Sequence, residues 1–458
     1  MSESGLQQAR DKMAAEGVDP VAIEVFTHYY RLVESGETGM VPESTIDPLD
    51  MPALADADVP DEVAADAIGR TVVVKLNGGL GTSMGLDRAK SLLEAREGLS
   101  FLDVIARQVL AIRKKYDVRL PLVLMDSFRT REDTLAALAP YDDLADADLP
   151  LDFLQNKEPK LRSDDLTPVT WEKDPTLEWC PPGHGDLYTA LRGTGLLDAM
   201  LDAGFTQVFV SNSDNLGAVP DPRVAGWFAS SGAPFAIEAV RRTPSDRKGG
   251  HFARRKSDGR IVLRETAQTL PEDQEALRDL SRHQYCSTNN LWFDLRAMKD
   301  ELDRRDGILG LPMIRNVKTV DPADSSSPEV IQIETAMGAA IEVFEGSRTI
   351  EVGRDRFVPV KTTNDLLVLR SDCYRLDDDA VLHQQPDEVP FVDLDKPYKL
   401  VAGFDERFPE GVPSLRRARS LVVHGDWTFG GDVTVVGEAV VGEEGSSGRV
   451  EPGTVLGA

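Results

Sequence analysis

The segment Thr71–Leu76 (TVVVKL) is apolar almost throughout and runs directly into a glycine-rich loop, Asn77–Gly85 (NGGLGTSMG). A strand with two apolar faces belongs inside a sheet covered on both sides, usually a parallel one. Glycines at its carboxyl end let backbone N–H groups approach a phosphate or a base with no side chain in the way. After the loop, Ser100 to Tyr116 reads as a helix. Ser100 is its cap, Asp103 stands three residues on, and Leu102, Ile105, Val109 and Ile112 share one side. LPLVLMDSF, TQVFVSN and PFAIEAV supply three further buried strands, with helical patterns between several of them. This alternation predicts an α/β fold, a doubly wound, mostly parallel, Rossmann-like domain with ligands at the carboxyl ends of its strands.

The two ends of the chain differ from this middle. Asp19-Pro20 opens a helix that places Val21, Val25, Tyr29 and Leu32 on one face. From Leu32 to Gly69 there is no Lys or Arg, and this stretch reads as a solvated, loosely ordered surface segment. Near the other end Val423, Phe429, Val435 and Val441 recur every six residues, as do Gly425, Gly431 and Gly437. Hexapeptide periodicity marks a parallel (left-handed) β-helix. The expected organisation is a helical and acidic segment at 1–70, a catalytic domain at 71–370 and a C-terminal domain with the β-helix at 371–458.

Charge and cysteine usage exclude several classes. The 458 residues carry a formal net charge of −27, so the overall field repels nucleic acid and anionic membrane. A phosphate site in such a chain must be a local concentration of Lys, Arg and backbone N–H. Cys180, Cys286 and Cys373 are far apart and form no CxxC, which argues against a disulfide framework or zinc ribbon. The N-terminal residues lack the apolar core of a signal peptide, and no run of about 18 apolar residues exists to span a membrane. The chain is expected in the cytoplasm.

Five clusters carry candidate chemistry. The glycine loop, with Lys90 five residues beyond it, is neither a Walker loop nor a GxGxxG fingerprint; it reads as a phosphate-binding loop or a tight strand-to-helix turn. In Pro181–Asp186 (PPGHGD), glycines flank His184 on irregular backbone, where a ligand contact competes with a structural histidine. Ser211–Asn215 (SNSDN) ends a buried strand, and Asp214 there suits a Mg²⁺ bridging phosphates. Glu265 and Thr288-Asn289-Asn290 offer groups that hydrogen-bond sugar hydroxyls. Lys361, in PVKTTND, is either a surface charge or a second cation for phosphates. There is no Ser–His–Asp set, Cys–His pair or HExxH. Attack by a sugar phosphate on a nucleoside triphosphate needs no protein nucleophile, because the attacking oxygen is already anionic. It needs alignment and positive charge.

The ordered strings LNGGLGTSMG, PLVLMDSF, PPGHGDLY, SNSDNLGA, KGG, ETAQ, TNNLW, QIETAMGAAI and PVKTTNDLL resemble the eukaryotic-type UTP–glucose-1-phosphate uridylyltransferase family. The resemblance extends from about residue 20 into the C-terminal repeat. It implies a nucleotidyltransferase that joins UTP and glucose 1-phosphate with Mg²⁺ held at Asp214. Leu76, Asn77, Gly78 and Gly79 would hold uracil and ribose, with Met125, with Gln155 at the uracil edge and with Gly183 behind the nucleoside. His184 would touch the glucosyl phosphate, and Asn212, Ser213 and Asp214 would lie between sugar and metal. Lys248-Gly249-Gly250, Glu265 and Asn289 would line the glucose pocket. Lys90 and Lys361 would clamp the phosphates of UTP as the catalytic cations. The chain departs from the family at Arg88-Ala89-Lys90, where Gly-Pro-Lys is common, at Asp87, where lysine is common, and at Cys286-Ser287, where one amide is missing. The resemblance also implies a candidate homo-oligomer through the C-terminal β-helix. A relative acting on another hexose 1-phosphate and a catalytically silent regulatory homologue are the alternatives. All candidate ligands lie between Leu76 and Lys361, so the hexad module, beginning near Leu421, is expected to be dispensable for chemistry.

Overall fold

A computed structural model describes residues 2–457 apart from Lys248 and Ala323. Its centre is a seven-stranded sheet: β1 (Thr71–Leu76), β2 (Leu122–Asp126), β3 (Asp152–Leu154), β4 (Gln207–Asn212), β5 (Phe235–Arg241), β6 (Tyr285–Asp294) and β7 (Arg348–Glu351). Their spatial order is β7-β5-β6-β4-β1-β2-β3. β4, β1, β2 and β3 are mutually parallel, as are β5 and β7; β6 runs antiparallel to both its neighbours. The chain winds outward from β1 through β2 to β3, then returns to place β4 on the other side of β1. The switch point therefore lies between β1 and β4, where such sheets open a crevice at the strands' carboxyl ends. The glycine loop and the SNSDN segment flank that crevice: Leu76 pairs with Asn212, and Leu76 O accepts Ser213 N at 3.1 Å.

The helix Phe101–Tyr116 forms as its sequence predicts. Ser100 and Asp103 make a reciprocal capping box, and Leu102, Ile105, Val109 and Ile112 are buried. The helix Pro20–Glu34 has the expected Asp19 cap, but its buried face is carried by Ala22, Phe26, Tyr29, Tyr30 and Val33. Val21, Val25 and Leu32 are only half-buried, because the aromatic side chains turn the packed face about one position round the helix. The acidic stretch is ordered rather than loose. Ile46–Pro48 pairs antiparallel with His251–Arg255, and the helix Asp61–Gly69 buries Ala64, Ala67 and Ile68. Its acidic residues alternate with small apolar ones that dock on the sheet's flank, so composition alone misread it.

In the C-terminal region Phe391–Leu394, Ser414–Val423, Thr434–Val441 and Val455–Leu456 form one parallel ladder, and Asp426–Phe429 pairs in parallel with Ser447–Val450. Val423 stands beside Val441 and Phe429 beside Val450, all buried. One continuous apolar cluster runs from Ile105 and Val109 through Leu366 and Tyr398 to Leu421, Phe429 and Val435. Among the described residues no helix is long and apolar enough to cross a membrane.

Candidate functional site

The crevice is built from the ends of β1 to β4. Asn77 is buried, and its backbone N–H is spent on Met125 O at 2.8 Å. Its side-chain amide donates to Asp126 Oδ1 and Thr134 Oγ1, both at 2.8 Å, while Ser91 donates to its carbonyl. Asn77 thus locks the loop to β2 and leaves the next two residues to face the crevice. No described residue accepts from the N–H groups of Gly78 and Gly79. Gln155, just past β3, lies directly over Gly78: a Cβ there would be 2.8 Å from its Oε1. Position 78 must be glycine for that amide to reach the crevice. Leu76, Gly78, Gly79, Met125 and Gln155 therefore meet along one wall of backbone and amide groups.

Past the glycine loop Lys90 N bonds Gly79 O at 3.2 Å, folding the loop back on itself. Lys90 Nζ pairs with Asp214 Oδ2 at 2.8 Å and donates to Val360 O. One lysine so joins the glycine loop, the SNSDN segment and the irregular segment that carries Lys361. Asp214 Oδ1 is buried and has no hydrogen-bond partner. Lys361 is anchored by its backbone N–H on Asp365 Oδ2 at 2.8 Å, and its side chain is exposed.

His184 sits where the chain can bend only through glycine. Gly183 has φ +78°, and a Cβ on it would lie 2.6 Å from Thr335 O. Met337 N donates to His184 Nδ1 at 3.0 Å, which leaves Nε2 as the protonated nitrogen. Burial lowers the imidazole pKa to about 4, so a neutral ring offers an N–H. The PPGHGD and QIETAMG strings are thus two halves of one packing unit.

The segment expected to face the sugar is shaped by a β-bulge. β5 and β6 shift register between Ile237 and Ala239, and Asn289 takes a left-handed conformation, φ 57°. A bulge re-aims a side chain next to a site; here it separates two neighbours. Asn289 is half-buried, whereas Asn290 is fully buried and donates to Glu238 Oε2 at 3.0 Å. Asn290 is therefore scaffold, not a sugar contact. Glu265 lies against Gly250, where a Cβ would be 2.7 Å from Oε2. Burial raises its carboxyl pKa, and Lys361 opposes that rise. Asn212 and Ser213 lie at the end of β4, and Lys248 lies outside the described residues.

Three supporting residues are given no role by the sequence motifs. Glu238 accepts both arms of Arg356 at 2.6 and 2.7 Å, and Trp292 Nε1 at 2.9 Å. Lys75, buried in β1, donates to Ser211 Oγ and Ala218 O, both at 2.8 Å; burial lowers its pKa to about 7. Asp186 accepts from Asn156 N at 2.6 Å and Nδ2 at 2.8 Å, tying the His184 loop to the residue after Gln155. A lysine in an apolar strand and a glutamate in FAIEAV were the available signals: charged residues inside buried strands need partners.

Comparison with known proteins places this geometry. The sequence model of the UTP–glucose-1-phosphate uridylyltransferase family matches residues 23–436. The UTP–glucose-1-phosphate uridylyltransferase of Saccharomyces cerevisiae is 38% identical over 378 residues, covering 82% of this chain and 74% of that one. The crystal structure of a UDP-glucose phosphorylase from Trypanosoma brucei superposes with a TM-score of 0.91 at 41% identity, covering 99% of this chain and 98% of that one. A mutant UDP-glucose pyrophosphorylase from Leishmania major, crystallised in complex with UDP-glucose, gives a TM-score of 0.92 at 40% identity, with coverage of 99% and 98%.

Proposed function

Because the chain belongs to the UTP–glucose-1-phosphate uridylyltransferase family, we propose that it transfers UMP from UTP to glucose 1-phosphate, giving UDP-glucose and pyrophosphate. The observation that carries this reading is the Lys90–Asp214 pair at the switch point, beside the free backbone N–H groups of Gly78 and Gly79. The phosphate oxygen of glucose 1-phosphate attacks the α-phosphorus of UTP in line. A new P–O bond forms, the bond to the β-phosphate oxygen breaks, and pyrophosphate leaves with the electron pair. No proton has to move, so no general base is required.

Gly78, Gly79 and Gln155 read the uracil edge, with Leu76, Asn77, Met125 and Gly183 enclosing the nucleoside. His184 donates Nε2–H to the glucosyl phosphate. Asn212, Ser213, Gly250, Glu265 and Asn289 hold the sugar. Lys90 exchanges Asp214 for the α-phosphate, and Lys361 meets the charge that grows on the departing oxygen. The orphaned Oδ1 of Asp214 fits a metal ligand, and we assign Asp214 to Mg²⁺. When bound, Mg²⁺ supplies charge neutralisation at the phosphates.

The same reading takes 1–70, 71–370 and 371–458 as N-terminal, catalytic and C-terminal units, and the parallel C-terminal ladders as a left-handed β-helix. It places the protein in the cytoplasm. Val440 and Val455, exposed on the ladder, give a homo-oligomer an apolar face. A coupled pyrophosphate-release assay with UTP and a panel of sugar 1-phosphates tests the reaction. Glucose 1-phosphate should turn over fastest; preference for another hexose 1-phosphate would reassign the substrate, and no release with any would refute the reading.

A further inference from the structure

A cleft of about 620 Å³ opens beside the glycine loop, between Lys361 and the C-terminal region. Its lining joins Ser83 and Met84 from the tip of the loop to Lys361, Lys396, Lys399 and His424. The two sides touch: a Cβ on Gly85 would meet the Leu400 side chain at 3.3 Å, so the segment after Lys396 leans directly on the loop.

We infer that this cleft receives the pyrophosphoryl unit, as the β- and γ-phosphates of UTP and as free pyrophosphate, with Lys396 and Lys399 of the C-terminal region as its further cations. The inference rests on the proposed uridylyl transfer and deepens it. Three observations support it. First, Lys361 lines the cleft, and it is the residue assigned to the departing oxygen, so the leaving group is delivered at its mouth. Second, the ammonium groups of Lys361, Lys396 and Lys399 make no ion pair or hydrogen bond with any described residue, in a chain with net charge −27. Three ammonium groups without a direct partner, gathered round one cavity, can donate together to the oxygens of a polyanion. Third, of the lining carboxylates Asp393, Asp395 and Glu444, which equal the lysines in number, Asp395 is turned onto Lys396 N at 2.7 Å and Gly425 N at 2.8 Å rather than onto an ammonium group, so the ammonium groups stay free to donate to phosphate oxygens.

Lys396 and Lys399 both precede the hexad module that begins near Leu421, so the inference adds the segment before that module to the leaving-group site and leaves the expected dispensability of the module itself unchanged.

The test uses full-length protein and the exposed substitutions Lys396→Ala and Lys399→Ala. An exposed lysine bound to a phosphate contributes about tenfold in affinity, less than a buried charge-assisted bond. KM for pyrophosphate in the reverse reaction, and KM for UTP in the forward one, should each rise about tenfold in Lys396→Ala and further in the double variant. The dissociation constant for UDP-glucose, which lacks the pyrophosphoryl unit, should stay within about twofold of wild type. Lys396→Arg should keep most of the affinity. Unchanged KM for pyrophosphate and UTP in the double variant would overturn the inference, as would an equal loss of UDP-glucose binding, which would mark general damage. Wild-type protein that does not consume pyrophosphate and UDP-glucose at all would refute the proposed reaction instead.

Discussion

Two ion pairs lie under the same crevice and are built on opposite principles. Glu238–Arg356 is dry, with side chains 0% and 8% exposed, and both carboxylate oxygens are saturated by Arg356, Asn290 and Trp292. Lys90–Asp214 makes a single contact, its side chains are 18% and 23% exposed, and one Asp214 oxygen has no partner. A saturated pair has nothing left to offer a ligand. A half-satisfied pair can exchange one partner for a phosphate or a metal. The difference separates the proposed sugar side, fixed by a buried network, from the proposed phosphate side, where charge is kept available.

The largest effects test the fixed side. Glu238→Ala strands a buried guanidinium, and removal of one partner from such a pair costs about 3–5 kcal/mol. Urea denaturation should register a loss of that size, with the Lys90→Ala protein within about 1 kcal/mol of wild type because its pair is partly solvated. Equal losses in the two variants would erase the contrast.

On the exchangeable side the cost should appear in turnover. Loss of one preorganised donor to a developing anion typically lowers kcat by about 10²–10³, or roughly 2.7–4 kcal/mol. Lys90→Ala and Lys361→Ala should each do so with a smaller change in KM for glucose 1-phosphate. A rise in KM for UTP with kcat preserved, in both variants, would make the lysines tethers and leave the catalytic role unsupported.

A smaller effect belongs to the base wall. Gln155 and the free N–H groups of Gly78 and Gly79 present a fixed hydrogen-bonding edge, and a wrong base leaves it unpaired. UTP should be preferred over ATP by at least about 10³ in kcat/KM. Gln155→Ala should erode that preference chiefly through the wild-type substrate. Equal use of UTP and ATP by the wild type would break the base assignment.

Much of this architecture was legible in the sequence. The strand–glycine loop pair, the capping box at Ser100 and Asp103, and the hexads at Val423 to Val441 each depend on neighbours within one segment. Their physical signature is therefore local. The sites that escaped depend on partners far along the chain. Nothing near Asn290 says that it turns inward to Glu238 while Asn289 turns outward; a bulge opposite Glu238 decides it. The acidic stretch was misread for the same reason, since the surfaces that receive Ile46 and Ile68 are built from residues about 200 and about 160 positions later. Lys396 carries no motif, and only the contact of Leu400 with Gly85 brings it to the loop.

His184 gives the finest test of the contrast, because it is proposed to touch the ligand yet is fixed by a backbone bond. Met337 N donates to its Nδ1, so adding a proton there would break that bond as well as bury a charge. The folded-state pKa is accordingly lowered to about 4, against about 6.5 in an unfolded chain. Between these values the unfolded state binds the proton and the folded state does not. The contribution of His184 to stability is then complete above about pH 6.5 and declines as pH falls toward 4. His251, lowered to about 3 by burial, and His283, lowered by burial, slope the same way, so the wild-type profile alone cannot isolate one ring. His184→Asn can, because its side-chain oxygen accepts the same N–H without titrating. The stability difference between the two proteins should be constant above about pH 7 and shift in favour of the variant between pH 6.5 and 4. Activity makes a parallel check. A neutral ring donating Nε2–H to the glucosyl phosphate gives no change in kcat/KM for glucose 1-phosphate from His184 between pH 8 and about 5. An increase in activity as pH falls through 6.5, present in the wild type and absent in His184→Asn, would mean that the charged imidazolium is the working form, and would overturn the neutral-donor assignment.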